Sequence, residues 1–287
     1  MRSWLLLIIL SVSSGVNAQV KQPYSLFDDK GKSVSYEKLL KACLKSDVVF
    51  FGELHNNTLN HWLELQILKD LHKERGNIAM GMEMFEADDQ LVLNEYLSKL
   101  IEEKQFLAEG KFWDNYKSDY RPLIEYARAN SLPVVATNVP RRYANVVYKK
   151  GLKTLDSLSQ ETKSLIVPLP LKVDYTLPNY KAMLEGMGQH GGGSAENLVA
   201  SQALKDATMA HNIVHNLKDG QIFYHVNGAY HSQDNQGILT YLKESKPKVK
   251  VLTIHVVEQD NIDSLEHANS GKADFTFCIA KDMIKSY

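Results

Sequence analysis

Two stretches carry reactive residue types at matching spacing: Val48-Val49-Phe50-Phe51-Gly52-Glu53-Leu54-His55 and Ile222-Phe223-Tyr224-His225-Val226-Asn227-Gly228-Ala229-Tyr230-His231. Each is an apolar run that stops near a glycine, and each delivers a histidine three residues after that glycine. Glu83 and Glu86 end a third apolar run, and Asn138, Arg141 and Arg142 follow a fourth. Asp206 interrupts an otherwise apolar helical stripe. Carboxylates and imidazoles gathered at one place suit a divalent metal such as zinc, with His55, Glu83 and His231 as its candidate ligands. The same residues suit metal-free acid–base work in which a carboxylate orients a histidine that activates water; Glu53, His55, Glu83, Arg141, Asp206 and His231 form that set.

Each of these residues also has a structural reading. A histidine at a helix start can cap backbone groups, Glu53 and Glu83 can pair with Arg141 or Arg142, and Asp206 can sit in a buried ion pair. His225 alternates with inward strand residues and reads as a satisfied core histidine, and Met80, Met82 and Met84 read as core. His61, His72, His215, His255 and His267 receive no role.

The elements that must position these groups alternate between strand and helix. Apolar runs at 48–52, 78–85, 133–138, 222–226 and 249–257 read as buried strands, and 274–280 as a final edge strand. Residues 20–35 read as a short strand pair around Asp29-Lys30-Gly31-Lys32. Helices are predicted over 36–44, 59–75, 88–104, 121–130, from Pro140 onward, over 196–217 and over 233–244. The pattern predicts an α/β fold: a central, mostly parallel sheet flanked by helices, with a helical and loop lid insertion at about 159–195. In such sheets ligands sit beyond the carboxyl ends of the strands, where Glu53, His55, Glu83, Arg141 and His231 all fall.

Residues 1–18 read as a secretory signal, with Arg2, an apolar run from Trp4 to Leu10 and small residues before Gln19, leaving 19–287 as a single domain. That places the protein in the periplasm or outside the cell, with no cysteine at the processing site to carry a lipid anchor. The charge is balanced, 33 Lys and Arg against 34 Asp and Glu, which argues against nucleic acid as a partner. Cys43 and Cys278 read either as one disulfide or as two buried thiols. Gly191 to Gly193 lacks the Lys-Ser/Thr of a phosphate loop and reads as a hinge.

Taken together, Gly52-Glu53-x-His55, Glu83-Met84-Phe85, the arginines after Pro140, Lys205-Asp206-x-x-Met209-Ala210 and Asn227-Gly228-x-x-His231 resemble the ChaN-like family of bacterial haem-binding uptake proteins. That family is similar to a superfamily containing the Tiki metalloproteases and the erythromycin esterases. The resemblance implies haem as cofactor, held at a homodimer interface with a tyrosine on the iron and a histidine assisting, in the service of iron uptake. Tyr175, Tyr180, His190 and Tyr230 are the cofactor-binding candidates it suggests here. The Tiki-like members imply instead a metal-dependent hydrolase using the glycine-x-x-histidine motifs, and the receptor partner stays unassigned.

Overall fold

A strand buried on both faces belongs at the centre of a sheet, and the one at Val48–Glu53 is buried at every position. The computed structural model describes residues 22–186 and 194–287. In chain order the elements are β1 (Tyr24–Asp28), α1 (Tyr36–Cys43), β2 (Val48–Glu53), α2 (Thr58–Arg75), β3 (Ile78–Glu86), α3 (Gln90–Leu97), α4 (Glu103–Glu109), α5 (Arg121–Ala129) and β4 (Val134–Asn138). They continue with α6 (Arg141–Lys150), α7 (Gln160–Lys163), α8 (Pro178–Gly186), α9 (Ala195–Asn216), β5 (Ile222–Gly228), α10 (Ile238–Ser245), β6 (Val251–Gln259) and β7 (Phe275–Ala280). The predicted segment 1–18, His190 and Gly191 to Gly193 lie outside the described residues. None of the described helices is long and apolar enough to cross a membrane.

The seven strands form one sheet in the order β1-β7-β6-β2-β5-β3-β4. All neighbours run parallel except β1, which pairs antiparallel with β7. Alternation along each strand divides the core between two faces. Val49, Phe51, Met80, Met82 and Tyr224 pack toward α1, α2 and α5, whereas Val48, Phe50, Ala79 and Phe223 pack toward α9 and α10. The two glycine-histidine stretches become neighbours at the centre: β2 and β5 pair with Gly52 opposite Asn227 and Glu53 opposite Gly228. Their spacing therefore places His55 and His231 past the carboxyl ends of adjacent strands.

Several boundaries differ from the sequence reading for local backbone reasons. The single helix predicted over 88–104 is two helices, because Lys99 takes φ +64° and no α-helix continues through that conformation. The helix predicted from 233 begins at Ile238, after Asp234, Asn235 and Gly237 adopt φ of +58°, +56° and +61°. The final strand β7 is not at the edge: β1 covers it, leaving only a single bridge from Phe27 to Ser33 of the predicted local strand pair. Cys43 and Cys278 are buried free thiols in separate apolar clusters.

The described part of the 159–195 insertion packs on α6 and α9. Ile166 joins a cluster with Val147 of α6 and Leu204 of α9, and Tyr180 packs on Val199 and Ala203 of α9. Apolar anchoring of this kind ties the segment to α9, and Asn179 at the start of α8 bonds to Tyr230 and Gln236 beyond the end of β5.

At the sheet centre Gly81 lies against the aromatic rings of β5. A methyl there would run into the Phe223 ring and stand 2.7 Å from His225 Cδ2. Gly81→Ala is expected to cost about 1–3 kcal/mol of unfolding free energy through overpacking. Urea titration checks this, and an unchanged midpoint would contradict the packing described.

Candidate functional site

Beyond the ends of β2, β3, β4 and β5 opens a cleft of about 630 Å3. His55, Glu83, Asn138, Arg141 and His231 line it as the sequence predicted, joined by Lys205 of the Lys205-Asp206 motif and by Phe112, Trp113 and Tyr287, which the sequence reading did not single out. A second hollow, about 560 Å3, lies along the outer edge of β4 between Pro133 and Asn212 and contains no histidine. Of these two, the first alone is lined by titratable groups.

The cleft is built from two similar chains of hydrogen bonds. On one side His55 Nδ1 donates to Glu53 Oε1 at 2.6 Å, and Tyr120 donates its hydroxyl to the same oxygen at 2.7 Å. On the other, His231 Nδ1 donates to Asp206 Oδ1 at 2.5 Å, and Tyr180 donates its hydroxyl to Asp206 Oδ2 at 2.7 Å. Glu83 stands between the two: Oε2 accepts from the Gly228 amide at 2.7 Å, and Oε1 lies 3.1 Å from His231 Nε2. Gly228 is required by proximity, since a Cβ there would sit 2.6 Å from His55 Nε2.

The electrostatics of the two histidines differ. His231 is 6 % exposed and both its ring nitrogens face carboxylates. Burial opposes its charge, but Glu83 and then Asp206 outweigh burial and push its pKa up to about 10. Reciprocally, burial would raise the Glu83 carboxyl, but the His231 charge holds it well below the usual range. With no ion present, the two carboxylates hold His231 as a buried imidazolium, and His55, Glu83 and His231, the residues named as a metal set from the sequence, all line the cleft.

His55 is different. Its side chain is about one-third exposed (36 %) and meets the Trp113 ring edge-on at 4.9 Å. Burial lowers its pKa, and Glu53 with Glu83 more than reverses that, for a net rise. With the Nδ1 proton fixed on Glu53, Nε2 is the nitrogen that carries the lone pair of the neutral ring.

Of the predicted cofactor residues, Tyr175, Tyr180 and Tyr230 do not line the cleft. Tyr180 is fully buried and spends its hydroxyl on Asp206; Tyr230 donates to the Asn179 carbonyl at 2.6 Å; Tyr175 is partly exposed on the insertion; His190 is not described. The tyrosine at the cleft is Tyr287, and it is 70 % exposed. Arg142 bonds to Asp88 at 2.5 Å, while Arg141 has no carboxylate within 4.0 Å among the described residues. The expected pairing of Glu53 or Glu83 with these arginines is not made, and the buried acids use histidines. His225 is the satisfied core histidine expected, between Thr137 Oγ1 and Asn227 Oδ1, both at 2.9 Å.

Sequence reasoning gave Lys205 no role beyond its place beside Asp206, and it missed Tyr120 and the buried His61 and Glu64 beneath Glu53. For the last two a signal existed: they sit three apart at the start of the helix that follows Gly52-Glu53-Leu54-His55. Nothing in the local pattern points to Tyr120.

A family model described as "Haem-binding uptake, Tiki superfamily, ChaN" matches residues 39–242, well over half of the chain. The chain belongs to this family. Among solved structures, ChaN of Campylobacter jejuni, which shows cofacial haem binding, superposes with a TM-score of 0.66 at 17% identity, covering 91% of this chain and 96% of that one. A succinoglycan biosynthesis protein gives 0.52 at 10% identity, with 87% and 91% covered. These likenesses show the fold. A chloroplastic protein of Arabidopsis thaliana, RETICULATA-RELATED 5, is 27% identical over 146 residues; the match takes in 48% of this chain and about a fifth (19%) of that protein's length.

Because the folded pKa of His231 lies above its ordinary value near 6.5, its charge adds stability that is complete below about pH 6.5 and is lost as pH rises toward about 10. Asp206→Asn removes one of the two carboxylates that raise it, so in that variant the alkaline loss of urea stability is expected to be smaller and to be complete at lower pH. Identical pH profiles in the two proteins would contradict the pairing.

Proposed function

We propose that this protein binds haem in the His55 cleft, as an exported protein acting in iron acquisition. The observation that carries this reading is the state of His55: a partly exposed imidazole whose Nδ1–H is fixed on a buried carboxylate, with Nε2 left as donor at the cleft. A hydrogen-bonded carboxylate behind an imidazole fixes its orientation and makes it a stronger ligand. Haem iron accepts nitrogen or phenolate donors on its axis, and Tyr287 is the cleft tyrosine that could supply the second. Trp113, Phe112 and Val139 offer an apolar wall, and Arg141 and Lys205 offer cations to the propionates. The volume lies within the roughly 300–1,000 Å3 usual for cofactor clefts.

Export through residues 1–18, a mature domain from Gln19 and a homodimer are parts of the same proposal. Two copies whose clefts meet would enclose a haem that one open cleft leaves half in water. The buried imidazolium of His231 beside Glu83 is more than haem binding requires. It supports a second reading, a metal-free acid–base hydrolase in which His231 gives a proton and His55 activates water.

Hemin titration of the purified chain is expected to give a Soret shift. Glu53→Gln should weaken the binding by roughly 10–100-fold and His55→Ala by at least as much. Iron must displace a proton from Nε2, and the His55 pKa is raised, so affinity is expected to fall as pH drops, starting above about pH 6.5. A Soret shift unaltered in both variants would remove His55 as ligand. Absence of any shift, with ester or peptide hydrolysis that is lost in His231→Gln, would favour the second reading.

A further inference from the structure

Beneath the cleft lies a polar cluster where apolar core is otherwise continuous. Helix α2 starts directly after the β2 turn, with Asn57 as its N-cap accepting from the Asn60 amide. Its first turn and a half brings His61 and Glu64 back against Glu53. The side chains of Glu53 and Glu64 are fully buried and that of His61 is 4% exposed.

The two oxygens of Glu53 have different surroundings. Oε1 accepts from His55 and from Tyr120, whereas Oε2 is enclosed and has no hydrogen-bond donor. Oε2 lies 3.7 Å from His61 Nδ1, and Glu64 Oε2 lies 3.1 Å from that same nitrogen. The other nitrogen of His61 is committed. Nε2 is 3.2 Å from the His55 carbonyl and 3.4 Å from Asp119 Oδ2, both acceptors, so Nε2 carries the proton. Asp119 is in turn fixed by the Asn115 amide at 2.7 Å, and Glu64 Oε1 by the Asn60 amide at 2.7 Å. Nδ1 is therefore the lone-pair nitrogen of the neutral ring, and it faces two carboxylate oxygens.

We propose that Glu53 Oε2, His61 Nδ1 and Glu64 Oε2 form a buried site for a divalent transition ion, separate from the cleft and from the Glu83–His231 pair. The three donor atoms lie within 4.8 Å of one another. Ligands at about 2.0–2.1 Å from a tetrahedral ion stand roughly 3.4 Å apart, and the separations of 3.1 and 3.7 Å bracket that value. Asp119 behind His61 supplies the carboxylate–histidine support that metal-bound imidazoles use. A divalent cation neutralises the two carboxylates, whose burial together is otherwise costly. One imidazole and two carboxylates suit zinc or manganese.

The site has a consequence for the cleft. Glu53 would hold the ion with one oxygen and His55 with the other, so a bound ion keeps Glu53 ionised and His55 oriented. Glu53, His61 and Glu64 are then positioning residues for whatever His55 binds.

The test is elemental analysis of the full chain refolded with Zn2+ or with Mn2+, followed by anomalous diffraction from crystals of the loaded wild type. Haem iron does not enter the count, so the result is independent of the haem reading. About one ion per chain is expected, with an anomalous peak between Glu53, His61 and Glu64. His231→Gln should keep the ion, and Glu64→Gln and His61→Asn should bind it roughly tenfold or more weakly. No stoichiometric ion with either metal, a peak at Glu83 and His231, or full occupancy in Glu64→Gln would overturn the proposal. Should the variants fail to fold, the position of the wild-type peak decides alone.

Discussion

The site depends on carboxylates placed where water cannot reach them. Glu53, Glu83 and Asp206 are each at most 5 % exposed, and an ionised carboxylate at such a depth must find a proton donor or a cation. Two of them find His231 and turn it into an imidazolium; the third finds His55 through one nitrogen and leaves the other available. Two histidines three residues past neighbouring strand glycines thereby acquire different chemical states. The tyrosines behind them complete each chain: Tyr180 pairs the Asp206 oxygen that His231 does not use, and Tyr120 adds a second donor to the Glu53 oxygen that holds His55.

The sheet makes this arrangement possible. Parallel pairing of β2 with β5 aligns the two motifs to within one residue, and β3 on the far side of β5 brings Glu83 to the Gly228 amide. Such pairing is fixed by burial on both faces, because a slip of one residue would exchange the two halves of the core. Arg141 enters from the start of α6 and Lys205 from α9, each on the rim where a cation stays hydrated.

Much of this was legible in the sequence. The buried strands, their order along the chain and the parallel class followed from apolar runs alternating with helical periodicity. Glu53, His55, Glu83, Asp206 and His231 followed from polar groups that end or interrupt such runs, because a buried polar residue has to be accounted for. The cofactor tyrosines did not follow. Tyr175 and Tyr180 lie in the insertion that reads as a lid and Tyr230 adjoins His231, but Tyr180 and Tyr230 commit their hydroxyls to Asp206 and Asn179, and Val173, Leu177 and Met183 pack with Tyr180 on α9. Periodicity shows that a segment has an apolar face and not which neighbour covers it. The protonation of His231 was equally hidden, since it depends on two acids 148 and 25 residues away in the chain meeting one ring.

The chain belongs to the haem-binding uptake family and shares its fold with ChaN of Campylobacter jejuni. The central claim is narrower: buried carboxylates set the two histidines in different states. Imidazole 15N NMR of the histidines across neutral and alkaline pH tests it most directly. The account requires His231 to keep protons on both nitrogens well above pH 8 and to release one near pH 10, with His55 holding its proton on Nδ1. A His231 that titrates near its ordinary value of about 6.5 would contradict it.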